Sequence, residues 1–195
     1  MTTRAKIVFI GNTEVGKTSL IQQYIDKNVD DIQSTVSAAY SQVEIECDSA
    51  VVTLDVWDTA GQEKFRSMGT MYYHNADIAV AVFDVTSPQS FDDLEKWIQS
   101  FKEHSKSDYV VIVGNKIDLP NELHKVTQED AENWAAEQNC ECFFTSATTG
   151  ENVNELFENI GKKVAEGNYI VHSYEREEAQ KLDDEKSGNE SLPCC

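Results

Sequence analysis

The eight residues from Gly11 to Thr18, GNTEVGKT, constrain what this chain can fold into more than any other stretch. They fit the pattern G-x-x-x-x-G-K-[ST], and the pattern sits where its mechanism needs it. The apolar run AKIVFI before it reads as a buried strand, and SLIQQYI after it has helical spacing. Glycines let the backbone curve around phosphates, while loop amides and a helix N-terminus point at the anion. In such a loop Gly11, Thr13, Glu14, Val15 and Gly16 wrap the phosphates, Lys17 reaches the outer ones, Thr18 offers a hydroxyl to Mg²⁺, and Ser19 completes the nucleotide-binding set in the first turn of the helix. Glu14 adds a carboxylate that cannot help bind an anion, so its side chain is expected to point outward. The loop implies a nucleoside triphosphate and leaves its base open.

The remaining periodicities extend this into an α/β chain. YSQVEIEC, AVVTLDVWD, DIAVAVFDVT, YVVIVGN and CECFFTSA read as strands. SFDDLEKWIQSFKEH places Phe91, Leu94, Trp97, Ile98 and Phe101 on one helical face. TQEDAENWAAEQN opens with Thr127 and has Asp130 three residues on, a capping-box arrangement. NVNELFENIGKKVAEG is a helix that Asn152 should start and Gly167 should end. Apolar strands alternating with helices predict a mainly parallel sheet covered on both faces. The division expected is a nucleotide-binding domain over 1–170 and a flexible acidic tail over 171–195, disordered from about Ser173.

Charge excludes several partners. Lys and Arg number 16 against 35 Asp and Glu, so 16 − 35 = −19. That argues against nucleic acid, which needs clustered cations, and against electrostatic attraction to anionic lipid. No apolar run approaches the ~20 residues of a membrane span. The start MTTRAKIVFIG lacks the layout of a secretory signal, and position 2 is not the glycine that myristoylation needs. Cys47, Cys140, Cys142, Cys194 and Cys195 are odd in number and scattered, which suits reduced thiols better than a disulfide framework. Cys140 and Cys142 have no second pair at a metal-binding spacing.

Two further motifs narrow the chemistry. In VWDTAGQE, Asp58 closes an apolar strand where a carboxylate faces the Mg²⁺ shell. Gly61 allows a backbone N–H to approach a terminal phosphate, and Gln62 can orient water. In GNKIDL, Asn115, Lys116 and Asp118 follow a buried strand, and ligands of doubly wound sheets sit at the carboxyl ends of strands. A carboxylate only accepts hydrogen bonds. Guanine offers Asp118 two adjacent donors, where adenine presents an acceptor. A small P-loop kinase or ATPase is the rival that Asp118 disfavours.

With these residues in place, the sequence resembles a small GTPase of the Ras superfamily and, within it, the Rab family. The resemblance runs from Ala5 to Gly167. The phosphate loop, Thr35 in STV, WDTAGQE, NKID and TSA occur in the family's order. KFRSMGTMYYHNAD and AVFDVTSPQSF are similar to Rab segments, and AAY with MYY looks most like the early-endosomal subgroup. The resemblance implies a P-loop NTPase G domain with six strands, the second antiparallel. It implies GTP/GDP and Mg²⁺ as ligands, the metal being held by Thr18, Thr35 and Asp58. Ser146, Ala147 and Thr148 would flank the base, and Tyr40, Trp57 and Tyr72 would face effectors. On residues alone, a tryptophan on a strand is more often core.

Further implications concern the protein's cycle. The resemblance implies slow intrinsic GTP hydrolysis, with an exchange factor, a GTPase-activating protein, a GDP-dissociation inhibitor or escort protein, a prenyltransferase and effectors as partners of a monomer. Cys194 and Cys195 match the terminal pair that receives geranylgeranyl groups. Two lipid chains hold a membrane where one is marginal. The seven acidic residues against three basic ones after Ser173 would make the tail a spacer. The place implied is the cytoplasmic face of intracellular membranes, of the endosomal kind, in exchange with cytosol, and the role is vesicle traffic. Three positions depart from the pattern. Val29 stands near where an aromatic covers guanine, Ser37 replaces a glycine, and Thr148 replaces a lysine. Val29 and Thr148 predict faster GDP release than is usual for Rabs, and the three together keep a second reading open, a switch-dead scaffold that binds effectors without cycling.

Overall fold

The computed structural model describes residues 3–27, 38–47, 50–59 and 71–167. The expectations for Val29, Thr35, Ser37, Gly61, Gln62, the tail, Cys194 and Cys195 lie outside the described residues.

Six strands form one sheet: β1 (Thr3–Ile10), β2 (Ala38–Cys47), β3 (Ala50–Thr59), β4 (Ile78–Asp84), β5 (Val110–Asn115) and β6 (Glu141–Thr145). Their spatial order is β2-β3-β1-β4-β5-β6, with β2 antiparallel to β3 and every other pairing parallel. The helices are α1 (Lys17–Asp26), α2 (Pro88–Asp92), α3 (Leu94–His104), α4 (Gln128–Glu137) and α5 (Val153–Glu166). A G-domain architecture of mostly parallel strands, as the sequence implies, is what forms.

Period-two alternation divides the core. On β1, Ile7 and Phe9 point into a layer shared with Leu20 of α1 and Phe157 and Ile160 of α5. Val8 and Ile10 point the other way, among Trp97 and Phe101 of α3 and Ala131 of α4. Both faces of β1 are therefore dry from Ile7 to Ile10, which is why that part of its sequence is a continuous apolar run rather than an alternation. At the α5 face the approach is close. A Cβ on Gly161 would lie 2.9 Å from Ile45 Cγ2 of β2.

Two local expectations are corrected. The helix read through Ser90–His104 breaks at Asp93, whose N–H reaches the carbonyls of Gln89 and Phe91. Ser87 and Pro88 start the short first piece, and Leu94, Trp97, Ile98 and Phe101 remain buried on the second. Asn152 does not cap α5. Its backbone is left-handed, and its amide instead donates to the Phe144 carbonyl at 2.8 Å. Thr127 does cap α4, accepting from Asp130 N at 3.1 Å. The shorter Asp130 takes the Thr127 hydroxyl proton at 2.6 Å, where a glutamate would reach back to the backbone.

Candidate nucleotide site

The turn after β1 sits at the reversal of strand order, between β3 and β4, where doubly wound sheets bind ligands. Gly11 has φ 133 and packs so closely that a Cβ would lie 2.2 Å from the Val82 carbonyl. Gly16 has φ 98 and leads into α1 with no side-chain cap, so the first amides of the helix are available to an anion. Glu14 is left-handed at φ 65 and exposed, as expected of a carboxylate beside an anion site. Thr13 is exposed, Val15 is buried and Ser19 lies half-buried in the first turn of α1.

Lys17 is the charge at the centre of this loop. It is 6% exposed, and its ammonium donates to the Gly11 carbonyl at 3.0 Å and the Asn12 carbonyl at 2.8 Å. Burial lowers the ammonium to about 8, while Asp58 opposes the fall. Next to it, the Thr18 hydroxyl donates to Asp58 Oδ2 at 2.6 Å. A neutral hydroxyl and a carboxylate at hydrogen-bonding distance form a hard-oxygen donor set, the kind that suits Mg²⁺ with phosphates completing the shell. Two of the three metal-ligand candidates are thus side by side.

The other end of the cleft is made of side chains crossing between loops. Asn115, 1% exposed at the end of β5, donates to the Val15 carbonyl at 2.9 Å. Its oxygen accepts from Ala147 N at 3.1 Å and from the Thr145 hydroxyl at 3.3 Å. It therefore ties the phosphate loop to the turn after β6. Ser146 donates to Asp118 Oδ1 at 2.6 Å and accepts from Thr149 N at 3.0 Å, which orients the Asp118 carboxylate. Lys116 is left-handed at φ 72, and its ammonium pairs with Asp84 Oδ2 at 2.6 Å. Burial pushes the Asp84 carboxyl up, but that pair and the Thr86 hydroxyl and N–H together keep it below the usual carboxylate range. Thr148 is exposed, consistent with a side chain that supplies little packing.

The aromatic trio is also brought together. Tyr40 and Trp57 face each other across the β2–β3 ladder with ring centroids 5.4 Å apart, and Trp57 lies 5.4 Å from Tyr72. Tyr40 is 49% exposed, whereas Trp57 is half-buried, so the core reading of Trp57 holds for only part of the ring. The Lys6 ammonium sits 5.3 Å from the centre of the Trp57 ring. Arg4 and Tyr40 both donate to Asp55, the tyrosine hydroxyl at 2.7 Å. Cys140 and Cys142 are reduced thiols, and the Cys140 thiol donates to the Gln138 carbonyl at 3.4 Å.

The site has a phosphate loop, a carboxylate-and-hydroxyl metal pair and a braced acidic residue at the far end, and the family model described as "Ras family" matches residues 6–166. The chain belongs to the Ras family. Among its relatives, the GTP-binding protein ypt5 of Schizosaccharomyces pombe is 41% identical over 167 residues, covering 84% of this chain and 79% of the relative. Ras-related protein Rab7 of Pisum sativum is 38% identical over 199 residues, covering 98% and 94%. Ras-related protein RABF2b of Arabidopsis thaliana is 38% identical over 162 residues, covering 82% and 80%. The chain is thus a Rab-like small GTPase, similar to relatives named ypt5 and to relatives named Rab7 alike. As a Ras-family GTPase it binds GTP and GDP with Mg²⁺ and hydrolyses GTP. Membership implies regulators and effectors as partners. Among the described residues no helix is long and apolar enough to cross a membrane.

Sequence reasoning missed Asn12, an unspecified position of the motif, and the Lys116–Asp84 pair. The first depends on partners 81 and 85 positions away, and no local signal marks it. The second joins the ends of two adjacent strands, and strand order reveals it only once β4 and β5 are known neighbours.

Proposed function

We propose that this GTPase is a membrane-anchored switch in vesicle traffic, of the early-endosomal kind, held by geranylgeranyl groups on Cys194 and Cys195. The observation that carries the guanine side of this reading is the Ser146-oriented Asp118 carboxylate, on loops that Asn115 ties to the phosphate loop. Asp118 accepts from the two donors of guanine, Lys116 lays its stem along the base while Asp84 holds its ammonium, and Ala147 and Thr148 close the rim.

At the phosphates, the amides of Thr13, Glu14, Val15 and Gly16 and the ammonium of Lys17 neutralise charge. Thr18, Asp58 and Thr35 would hold Mg²⁺, which would supply charge neutralisation at the transferring group. Gln62 orients the attacking water and the Gly61 N–H holds the terminal phosphate. Phosphoryl transfer asks the protein for positioning more than covalent work. With no arginine supplied in cis, an activating protein adds roughly 10³–10⁵-fold. Effectors then read Tyr40, Trp57 and Tyr72. An exchange factor, a GDP-dissociation inhibitor or escort protein and a prenyltransferase complete the cycle of a monomer moving between cytosol and endosomal membrane. The AAY and MYY segments support the early-endosomal assignment.

Two measurements test this. Asp118→Asn should lose GTP affinity by ~1.5–3 kcal/mol per charged hydrogen bond and gain affinity for xanthosine triphosphate, whose carbonyl meets the new amide. Unchanged GTP affinity in the variant, or equal binding of ATP and GTP by the parent, removes the guanine role of Asp118. Cys194→Ser with Cys195→Ser should move the protein from the membrane to the soluble fraction of cells, with nucleotide binding intact. Retention on membranes would remove the anchor.

A further inference from the structure

The phosphate loop is fastened from outside by a residue that its motif leaves unspecified. Asn12 follows Gly11, and its side-chain amide crosses to the break between α2 and α3. Its Nδ2 donates to Asp93 Oδ2 at 2.9 Å, and its Oδ1 accepts from Trp97 Nε1 at 2.7 Å. The two partners fix the amide's orientation. An indole N–H only donates and a carboxylate only accepts, so the flipped amide would set donor against donor and acceptor against acceptor. Both partners are themselves held. Trp97 is 3% exposed in the α3 core, and Asp93 also takes Lys96 at 2.7 Å and Gln89 at 3.1 Å.

The same residue reaches the centre of the loop through its backbone. The Asn12 carbonyl accepts from the Lys17 ammonium at 2.8 Å. Holding the side chain at two points fixes the residue and so the place of that carbonyl, which sets where Lys17 waits between carbonyls and phosphates. Without the latch, the first peptide of the loop loses these ties to Asp93 and Trp97, and the amides that follow are less preorganised for an anion.

We infer that Asn12 is a positioning residue for Lys17, and that its latch to Asp93 and Trp97 lengthens the time nucleotide stays bound. The inference rests on the phosphate-loop reading of Gly11–Thr18. It assigns no contact between the Asn12 side chain and the nucleotide.

The test is stopped-flow release of a fluorescent GDP analogue, with Mg²⁺, from the full chain and three variants, with thermal melting of each. Asn12→Ala should release about tenfold faster, the scale of one to two lost hydrogen bonds. Asn12→Asp should release faster still, because two carboxylates then face each other. Combining Asn12→Asp with Asp93→Asn restores a donor facing an acceptor, with Trp97 still donating, and should return release to within about threefold of the parent. Release from Asn12→Ala at the parent rate, or a combined variant as fast as Asn12→Asp alone, overturns the inference. A lower melting temperature with unchanged release makes Asn12 merely structural and overturns it as well. Should Asn12→Asp not fold, Asp93→Ala takes its place: faster release is expected, and parent-like release overturns the latch. A parent that retains no GDP analogue would instead refute the phosphate-loop reading itself.

Discussion

The two ends of the cleft are built from different materials. At the phosphate-loop end, backbone lines the site. Gly11 and Gly16 take left-handed conformations, α1 begins without a side-chain cap, and Lys17 rests on two carbonyls. At the base end, side chains brace one another across long separations. Asn115 joins Val15, 100 positions away, to Ala147, and Ser146 holds Asp118. Backbone sites recognise what all nucleotides share, whereas side-chain sites discriminate between bases. The difference predicts that affinity and selectivity are carried by separable structures, joined where Asn115 bonds the Val15 carbonyl and packs beside Gly16.

That point offers the harshest way to break the comparison. A Cβ on Gly16 would lie 2.2 Å from Asn115 Nδ2, at a backbone φ of 98. Gly16→Ala should therefore damage both ends. Strain of ~1–3 kcal/mol adds to ~1–3 kcal/mol for the displaced amide. Affinity for GDP measured by calorimetry should fall about a hundredfold or more. A loss of base selectivity without a loss of affinity would show that the ends are not joined there.

Asn115→Ala probes the brace alone. It leaves the Val15 carbonyl and the Ala147 N–H without their partner, at ~1–3 kcal/mol each. Thermal melting should drop by about 5–10 °C. GDP release should accelerate about tenfold or more, followed with a fluorescent analogue. Melting at the parent temperature would mean that the brace is redundant.

The smallest effect sharpens the contrast through pH. Asp93, which ties Asn12 to α3, is held at about 2, first by Lys96 and then by Asn12, against the opposing push of burial. A carboxylate depressed in the folded state stabilises it above the ordinary carboxylate value near 4, and that contribution is lost as pH falls toward 2. Acid unfolding followed by tryptophan fluorescence should therefore be less steep between pH ~4 and ~2 in Asp93→Asn than in the parent. The Asn115 brace contains no titrating group and should give no such difference in Asn115→Ala.

Much of this was legible in the chain because it rests on local signals. The phosphate loop announces itself through two glycines, a lysine and a threonine at fixed spacing. The β1, β4 and β5 runs read as strands because both their faces are covered. What stayed hidden depends on distant partners. Phe91 keeps the helical phase of Leu94 and Trp97, so nothing local marks the break at Asp93. Asn152 has the composition of a cap, yet the Phe144 carbonyl competes for its amide and wins. The sequence motif names Asn115 as a nucleotide-site residue, while its bonds show it working within the protein. Asn12 had no signal until Trp97 and Asp93 were placed beside it.

The close approach of Gly161 to Ile45 limits how this chain can vary over generations. Helix propensity favours alanine over glycine at such a position by ~1 kcal/mol. Yet the branched Ile45 Cγ2 stands 2.9 Å from where the methyl would go. A valine at position 45 would keep that methyl in place. Trimming Ile45 to alanine removes that methyl but leaves its Cβ 3.3 Å away, and a buried isoleucine cut back that far costs ~2–5 kcal/mol. Neither residue has a favourable first step, so a lineage that keeps Ile45 keeps Gly161, and the pair changes together or not at all.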